Sequence, residues 1–146
     1  MEPFASPLFR AYSRMYQEEN TIYHNIARHL GLSDAAFSVL YAISELEEGC
    51  LQRDICRLCF LSKQTVHSAV RKLEREGLLR LEPGKRRDVH LYLTPTGREA
   101  VERTILPVVQ REIAAFQAMD QQDQAELVRL TRTYLDHLRD KTADMI

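Results

Sequence analysis

The chain has 146 residues and a mass of 17.0 kDa, of which 45% are hydrophobic and 28% charged, with only five Gly and five Pro. This length fits one domain, residues 1–146, and the composition excludes disordered, collagen-like and disulfide-stapled proteins. The formal net charge is −1, from 20 Lys and Arg against 21 Asp and Glu. Taken over the whole chain, this charge argues against electrostatic binding of nucleic acid.

The sequence shows no sign of export or of membrane insertion. Residues 1–7 lack a basic segment followed by an apolar run, and no stretch approaches the roughly 18 apolar residues that a membrane span needs. We therefore expect a cytoplasmic protein without a membrane partner. In that reducing compartment the three cysteines, Cys50, Cys56 and Cys59, are expected to be free thiols.

The first third of the chain predicts two amphipathic helices. Ser6 and Pro7 form a typical helix start, and apolar residues then recur at spacings of three, four and seven up to Gly31. Ser33 is placed to cap a second helix, which Gly49 is expected to close. The first helix is long for a small domain.

A short helix and a longer helix follow, separated by a tight turn. The short one is predicted at Gln52–Cys59, and the longer one begins at Ser62 and stops at Gly77. The longer helix separates an apolar stripe from a polar face. The polar face carries Lys63, Gln64, His67, Ser68, Arg71 and Arg75.

The periodicity then changes from helical to strand-like. Residues 78–82 and 89–93 predict two strands, joined by the charged hairpin tip 83–88. The order helix, turn, helix and basic hairpin is typical of a winged helix-turn-helix. In that fold the second helix enters the major groove of DNA, and the wing reaches the adjacent backbone or minor groove.

Two further helices are predicted after the hairpin. Thr94 and Pro95 open the first, with a bend expected at Pro107, and Asp120 is placed to cap the last. The long helices at both ends of the chain present more apolar surface than one small hydrophobic core can bury. Homodimerisation through these ends is the expected remedy.

The near-neutral total charge conceals an uneven distribution. Residues 51–94 contain ten Lys and Arg against five Asp and Glu, a net charge of +5, whereas the rest of the chain carries −6. DNA responds to the local field within about 8 Å, the Debye length at physiological salt. The middle of the chain therefore remains a candidate for DNA binding.

Four features of the middle segment occur together: residues 61–66 (Leu-Ser-Lys-Gln-Thr-Val), residues 70–79 with their Leu-Glu-x-x-Gly pattern, the basic wing, and the Leu-Thr-x-x-Gly pattern in residues 93–98. With these features and the order of its helices, nearly the whole chain resembles the MarR family of transcriptional regulators. This resemblance implies a mainly α fold with a small β-hairpin wing, in which residues 33–94 form the winged helix-turn-helix that binds DNA. It further implies dimerisation helices at 6–31 and 95–146, and a homodimer on a pseudo-palindromic operator.

The resemblance also implies roles for particular residues. Arg87 takes the expected minor-groove position of the wing, with Lys85 and Arg86 beside it. Lys85 stands where the family commonly has an Asp that steadies this Arg, so the neighbouring Asp88 or the extra positive charge has to compensate. Repression is the commoner outcome, because a dimer that covers a promoter excludes polymerase.

The polar face of the longer helix is expected to read the DNA. Gln suits adenine and Arg suits guanine, each through two hydrogen bonds. Ser62 and Lys63, at the helix start, are expected to position the DNA backbone. The residues expected to reach base edges are Gln64, Thr65, His67 and Ser68, with Arg71 reaching a base or a phosphate.

An effector site is the least specific expectation. Related regulators often accept small aromatic or phenolic effectors between the dimer helices and the DNA-binding region. The residues that could line such a cavity are Tyr12, Tyr16, Tyr23 and Phe37. The alternative is that this aromatic stripe belongs to the hydrophobic core.

Two other classes of function are weighed against the regulator. Cys56 and Cys59 form a Cys-x-x-Cys pattern, but there is no second ligand pair for a metal and no strand-to-helix start typical of a redox site, so burial is expected. Cys50, just after Gly49, is expected to be more exposed and is a minor candidate for oxidant sensing. A thiol-based regulator and a winged-helix module for protein contacts thus remain as alternatives. The sequence carries no catalytic pattern, and no cofactor is expected.

Overall fold

The computed structural model describes residues 6–145, whose contacts divide the chain into a unit that ends at Ile105 and a unit that begins at Leu106. These residues contain six helices and three strands. They are α1 (Pro7–His29), α2 (Asp34–Glu45), β1 (Cys50–Leu51), α3 (Gln52–Cys59), α4 (Lys63–Arg75), β2 (Leu79–Pro83), β3 (Val89–Leu93), α5 (Pro95–Gln117) and α6 (Gln121–Thr142). The expectation about the amino-terminal segment lies mostly outside the described residues, because residues 1–5 are not among them. None of the described helices is long and apolar enough to cross a membrane.

Serine caps begin the three helices at which they are expected. The hydroxyl of Ser6 accepts a hydrogen bond from the amide of Phe9 at 3.3 Å, and Ser33 does the same for the amide of Ala36 at 3.1 Å. These side chains satisfy backbone donors that a helix start leaves without an internal partner. The cap of α4 belongs to the candidate functional site and is described there.

The second helix ends earlier than its sequence predicts. α2 stops at Glu45, and Leu46 already has an extended backbone, whereas Gly49 had been expected to end this helix. Gly49 instead adopts a φ of +80° in the turn that leads into β1, where an added Cβ would lie 2.9 Å from the Tyr92 hydroxyl. A glycine at this position therefore lets the backbone pass close to the Tyr92 side chain of the sheet.

The hairpin is part of a three-stranded antiparallel sheet with the order β1-β3-β2. β1 was not predicted, since two residues are too short to show a strand period. It pairs Cys50 with Leu91 and Leu51 with His90, while β2 and β3 pair from Leu79↔Leu93 to Pro83↔Val89. The sheet thereby joins the start of α3 to the wing.

The core of the first unit forms where α2, α3, α4 and the sheet pack together. The apolar stripe of α4 lies entirely inside it, which confirms the predicted division of that helix into two faces. The fully buried large side chains are Val39, Leu40, Ile55, Val66, Val70, Leu73, Leu91 and Ile105.

The junction between the wing and α5 is also tightly packed. The Thr94 hydroxyl donates to the carbonyl of Gly77 at 2.6 Å and accepts from the amide of Gly97 at 2.9 Å, so Thr94 caps the helix as expected. A Cβ at Gly97 would collide with the carbonyl oxygen of Leu78. The helix then continues through Pro107 as one element.

The second unit contains the end of α5 and all of α6. Asp120 occupies the expected cap position of α6, but among the described residues its side chain makes no capping hydrogen bond. The Gln124 side-chain amide instead donates to the carbonyl of Met119 at 2.8 Å and closes the connection. No residue of α6 is buried within this chain.

The turn between α3 and α4 provides a test of backbone strain. Phe60 adopts the left-handed conformation, with φ 52° and ψ 32°, and 90% of its side chain is exposed. This conformation destabilises the folded state by about 1–2 kcal/mol when the residue has a Cβ. Gly avoids this strain, but it also gains backbone entropy in the unfolded chain, which offsets part of the benefit. Phe60→Gly should therefore raise the free energy of unfolding by about 0.5–1 kcal/mol in urea denaturation. Phe60→Ala keeps the Cβ and is the control; an equal gain in both variants would contradict the backbone explanation.

Candidate nucleic-acid interface

Helix α4 begins with a cap that uses two of the predicted site residues. The Ser62 hydroxyl accepts from the Thr65 amide at 3.1 Å and lies 2.7 Å from the Thr65 hydroxyl. Both residues are exposed, so the cap forms at the surface. Since Thr65 is held at the helix start, it belongs with Ser62 and Lys63 in the first turn, where backbone amides can face an anion.

The remaining predicted residues of α4 lie together on its exposed face. Gln64, His67 and Ser68 are exposed, and their side chains form no hydrogen bond or ion pair with any other described residue. Arg71 differs, because its Nη1 donates to Glu74 Oε2 at 2.9 Å. Three of these side chains can thus bind a ligand without giving up an internal bond, and Arg71 has to exchange one.

The hairpin tip holds its cations away from carboxylates. The backbone closes the tip, since the Gly84 amide donates to the Asp88 carbonyl at 2.8 Å and the Asp88 amide donates to the Lys85 carbonyl at 3.1 Å. Lys85, Arg86 and Arg87 are all exposed, and Arg86 has a φ of +61°. Asp88, the sequence candidate to steady Arg87, directs its carboxylate to Arg53 instead, at 3.2 Å.

Ion pairing sorts the charges of residues 51–94. Every one of the five carboxylates in this segment pairs with a cation of the same segment. The pairs are Arg53 with Asp88 (3.2 Å), Arg57 with Asp54 (3.8 Å), Arg71 with Glu74 (2.9 Å), Lys72 with Glu76 (4.0 Å), and Arg80 with Glu82. Within the described residues, the cations left without a carboxylate partner are Lys63, Arg75, Lys85, Arg86 and Arg87.

The net charge of +5 is therefore carried by five residues at defined places. Lys63 and Arg75 lie at the two ends of α4, and the other three form the tip of the wing. An unpaired surface cation keeps its full attraction for phosphate, whereas a paired one first has to exchange its partner. The sequence indicated the sum of these charges, but Arg75 was not predicted as a site residue, and the selection of these five depends on the pairs.

The predicted effector residues divide between core and surface. Phe37 is buried, and its ring centroid lies 6.3 Å from that of Tyr23 and 6.0 Å from that of Tyr41. Tyr12 and Tyr16, further toward the start of α1, are exposed. An open cavity of about 470 Å³ lies elsewhere, between the start of α2 and α4. It is lined by Ser33, Ala35, Gln64, Thr65, Ser68, Ala69 and Lys72.

The three cysteines are free and half-buried, whereas full burial had been expected for Cys56 and Cys59 and greater exposure for Cys50. The Cys59 thiol donates to the Ser38 carbonyl at 3.3 Å. Burial, reinforced by Cys56 and then Glu45, raises the pKa of Cys59 to about 11. Burial, followed by the charge of Asp54, also raises the pKa of Cys50. Oxidant-sensing thiols have lowered pKa values, so these two sites argue against that alternative. No group of three or more potential metal ligands occurs among the described residues.

A hydrogen bond that sequence reasoning missed joins α1 to α2. Nδ1 of His24 lies 2.9 Å and 3.0 Å from the two carboxylate oxygens of Asp34, in the first turn of α2. Helical periodicity relates residues within one helix, whereas the partner of His24 lies on the next helix, so the sequence pattern does not predict this contact.

Comparisons with known proteins agree with this architecture. The model of the MarR family matches residues 30–88, from the residue after α1 to the end of the hairpin tip. BpsR of Bordetella bronchiseptica, whose DNA binding is regulated by 6-hydroxynicotinic acid, is 25% identical over 92% of this chain and 98% of its own, with a TM-score of 0.68. NMB1585, a MarR family regulator from Neisseria meningitidis, is 20% identical over 97% of this chain and 99% of its own, with a TM-score of 0.77.

A third structure was solved with small molecules. Staphylococcus aureus MarR, in complex with salicylate and kanamycin, is 19% identical over 91% of both chains, with a TM-score of 0.68. The comparison with curated proteins gives no significant match.

The raised pKa of Cys59 predicts slow thiol chemistry near neutral pH. With a pKa of about 11, roughly one thiol in three thousand is ionised at pH 7.5, and only the thiolate reacts. The rate of alkylation of Cys59 by iodoacetamide, followed by peptide mass spectrometry, should rise about tenfold per pH unit between pH 8 and 10. The same thiol in urea-unfolded protein is the control and should react faster at pH 7.5; equal rates would contradict the pKa shift. The folded protein holds the Cys59 proton more tightly than the unfolded chain does. The contribution of this thiol to the free energy of unfolding is therefore complete below pH 9 and is lost as the pH rises through about 11.

Proposed function

We propose that this chain, which belongs to the MarR family of DNA-binding transcriptional regulators, recognises a pseudo-palindromic operator as a homodimer and acts as a repressor. The observation that carries the proposal is the position of the five unpaired cations, at the ends of α4 and on the tip of the wing. Both elements are those that a winged helix-turn-helix presents to DNA. The charge and the fold therefore point to the same surface.

In this proposal α4 reads the major groove. Gln64, His67 and Ser68 offer hydrogen-bonding groups that no other described residue occupies. A bidentate contact, such as Gln to adenine, provides about 1–3 kcal/mol of discrimination between bases. Arg71 joins them by exchanging Glu74 for a base or a phosphate, and the loss of such an exposed ion pair costs at most about 1 kcal/mol.

The helix start and the wing hold the DNA backbone and the minor groove. Ser62, Lys63 and Thr65 occupy the first turn of α4, where backbone amides and a cation favour phosphate. Arg87 enters the adjacent minor groove, whose negative potential is strongest where A·T base pairs narrow it. Lys85 and Arg86 contact the flanking phosphates.

Homodimerisation supplies the second reading helix. Each unit carries large apolar side chains that the chain itself leaves exposed, such as Leu8 (84%) and Tyr16 (55%) on α1 and Val128 (60%) and Leu130 (50%) on α6. Apolar surface of this extent is typical of a protein interface. A two-fold dimer presents two copies of α4 to the halves of a palindrome. A dimer bound across a promoter represses by excluding polymerase.

A small aromatic acid is the proposed effector. BpsR responds to 6-hydroxynicotinic acid, and Staphylococcus aureus MarR was solved with salicylate. In this chain the phenol groups of Tyr12, Tyr16 and Tyr23 are the proposed contacts for such a ligand, together with Phe37, whose ring lies against Tyr23. Binding there releases the DNA by favouring a dimer in which the two reading helices no longer match the operator spacing.

The DNA-binding proposal predicts the effect of one wing substitution. A duplex selected from a random library by the wild-type protein should bind Arg87→Ala about tenfold more weakly, because each wing loses its minor-groove contact. The slope of log K against log salt should fall by about 2 per dimer, one contact per wing. Electrophoretic mobility shifts at several salt concentrations measure both quantities.

Arg103→Ala, which removes an exposed cation of α5 outside the basic segment, is the matched control and should leave both quantities unchanged. A wild-type protein that selects no sequence would contradict the proposed function. Equal loss in the two variants would contradict the assignment of Arg87.

The dimer predicts a change of mass on disrupting α6. The wild-type protein should elute with twice the 17.0 kDa chain mass in size-exclusion chromatography with light scattering. Leu130→Asp places a charge in the apolar surface and should shift the mass toward the monomer. Thr131→Asp adds the same charge at the next, exposed position and should leave the dimer intact. A wild-type monomer at micromolar concentration would argue against the dimer.

The effector proposal predicts release of the complex by aromatic acids. Salicylate or 6-hydroxynicotinate at millimolar concentration should dissociate the selected duplex from the wild-type protein. Tyr16→Ala should need a higher ligand concentration while binding DNA normally, and cyclohexanecarboxylate, an acid without an aromatic ring, is the control ligand. If all three acids act equally, the effect is one of ionic strength and the aromatic site is excluded.

A further inference from the structure

The outermost strand pair and the tip of the wing lie beyond the reach of β1. β1 pairs with β3 only at Leu91 and His90. Beyond His90, Val89 pairs with Pro83 alone, so the hairpin continues outward as a two-stranded ribbon. Such a ribbon is marginally stable by itself and twists readily. Another interaction is needed to set the direction of the tip that carries Lys85, Arg86 and Arg87.

The ion pair between Arg53 and Asp88 lies at this transition. Arg53 is the second residue of α3, which begins directly after β1, and its Nη1 lies 3.2 Å from Asp88 Oδ1. Asp88 is the residue that closes the tip, since its backbone bonds to Gly84 and Lys85. The pair therefore joins the closed end of the wing to α3, one element before the reading helix.

The pair also controls the charge of the tip. Asp88 is the only carboxylate in residues 84–88, and it adjoins Arg87 in the chain. Because Arg53 offsets this carboxylate, the three cations of the tip keep their attraction for DNA. Arg53 itself contributes no free charge, since it is one of the paired cations of the segment.

We infer that Arg53 and Asp88 form a positioning pair that orients the wing so that Arg87 reaches the minor groove. The inference rests on the proposed function, which it deepens by assigning two residues that act through Arg87. The alternative is that Arg53 contacts a phosphate directly and that Asp88 merely weakens DNA binding by its charge.

The two interpretations predict opposite signs for Asp88→Ala. Removal of a carboxylate beside the DNA should, on electrostatics alone, tighten binding to every duplex. Loss of a positioning pair should instead weaken binding to the selected duplex, by about threefold to twentyfold for two wings, since one exposed pair shifts an equilibrium by up to about fivefold. Binding to a scrambled duplex of equal length should stay equal or tighten. The measured quantity is the ratio of the two affinities, which should fall.

Three further variants complete the test. Asp54→Ala removes a carboxylate of α3 whose partner, Arg57, lies on the same helix, and the affinity ratio of this variant should stay at the wild-type value. Arg53→Asp combined with Asp88→Arg exchanges the two charges at constant net charge and should restore most of the ratio that Arg53→Asp alone loses. Thermal denaturation confirms that each variant is folded.

The outcomes separate this inference from the proposed function. If the wild-type protein selects no duplex, the proposed function fails. If it does select one, and Asp88→Ala binds it as tightly as or more tightly than the wild type, the positioning pair is overturned. An exchanged pair that remains as weak as Arg53→Asp alone also overturns it.

Discussion

The burial of one helix stripe is the constraint on which the remaining structure depends. Val66, Val70 and Leu73 are fully buried against α2, α3 and the sheet. Burial of side chains of this size stabilises a protein by about 1.5–3 kcal/mol each, far more than any surface ion pair contributes. This packing determines the rotation of α4 about its axis. Because the apolar side of α4 is buried in the core, Gln64 and His67 on its opposite side point to solvent.

Electrostatics selects among the surface groups that this packing exposes. The segment contains twice as many cations as carboxylates, and short-range pairing neutralises half of the cations. The remaining positive charge is confined to the ends of α4 and the wing tip. The net charge of the whole chain was a poor guide because DNA senses local charge within a Debye length.

The predictable features of the fold were those that depend on neighbouring residues. The caps at Ser6, Ser33 and Ser62 bond to amides three residues away, so the sequence contains both partners. The predicted end of α2 was wrong, and the strand β1 was not predicted. Both depend on the pairing of Cys50 and Leu51 with β3, some forty residues later. At Asp120 the cap position was right, yet within residues 6–145 its side chain makes no capping bond, and the Gln124 side chain closes that connection.

The sequence by itself determined the class of the protein: a winged helix-turn-helix with a basic reading helix and a basic wing. Periodicity, caps and the local charge are properties of adjacent residues, and they can be read without a fold. Only the tertiary structure decided which cations remain unpaired, that Asp88 turns to Arg53 rather than Arg87, and that Phe37 lies in the core. These outcomes depend on distances between residues far apart in the chain, such as the 35 positions that separate Arg53 from Asp88.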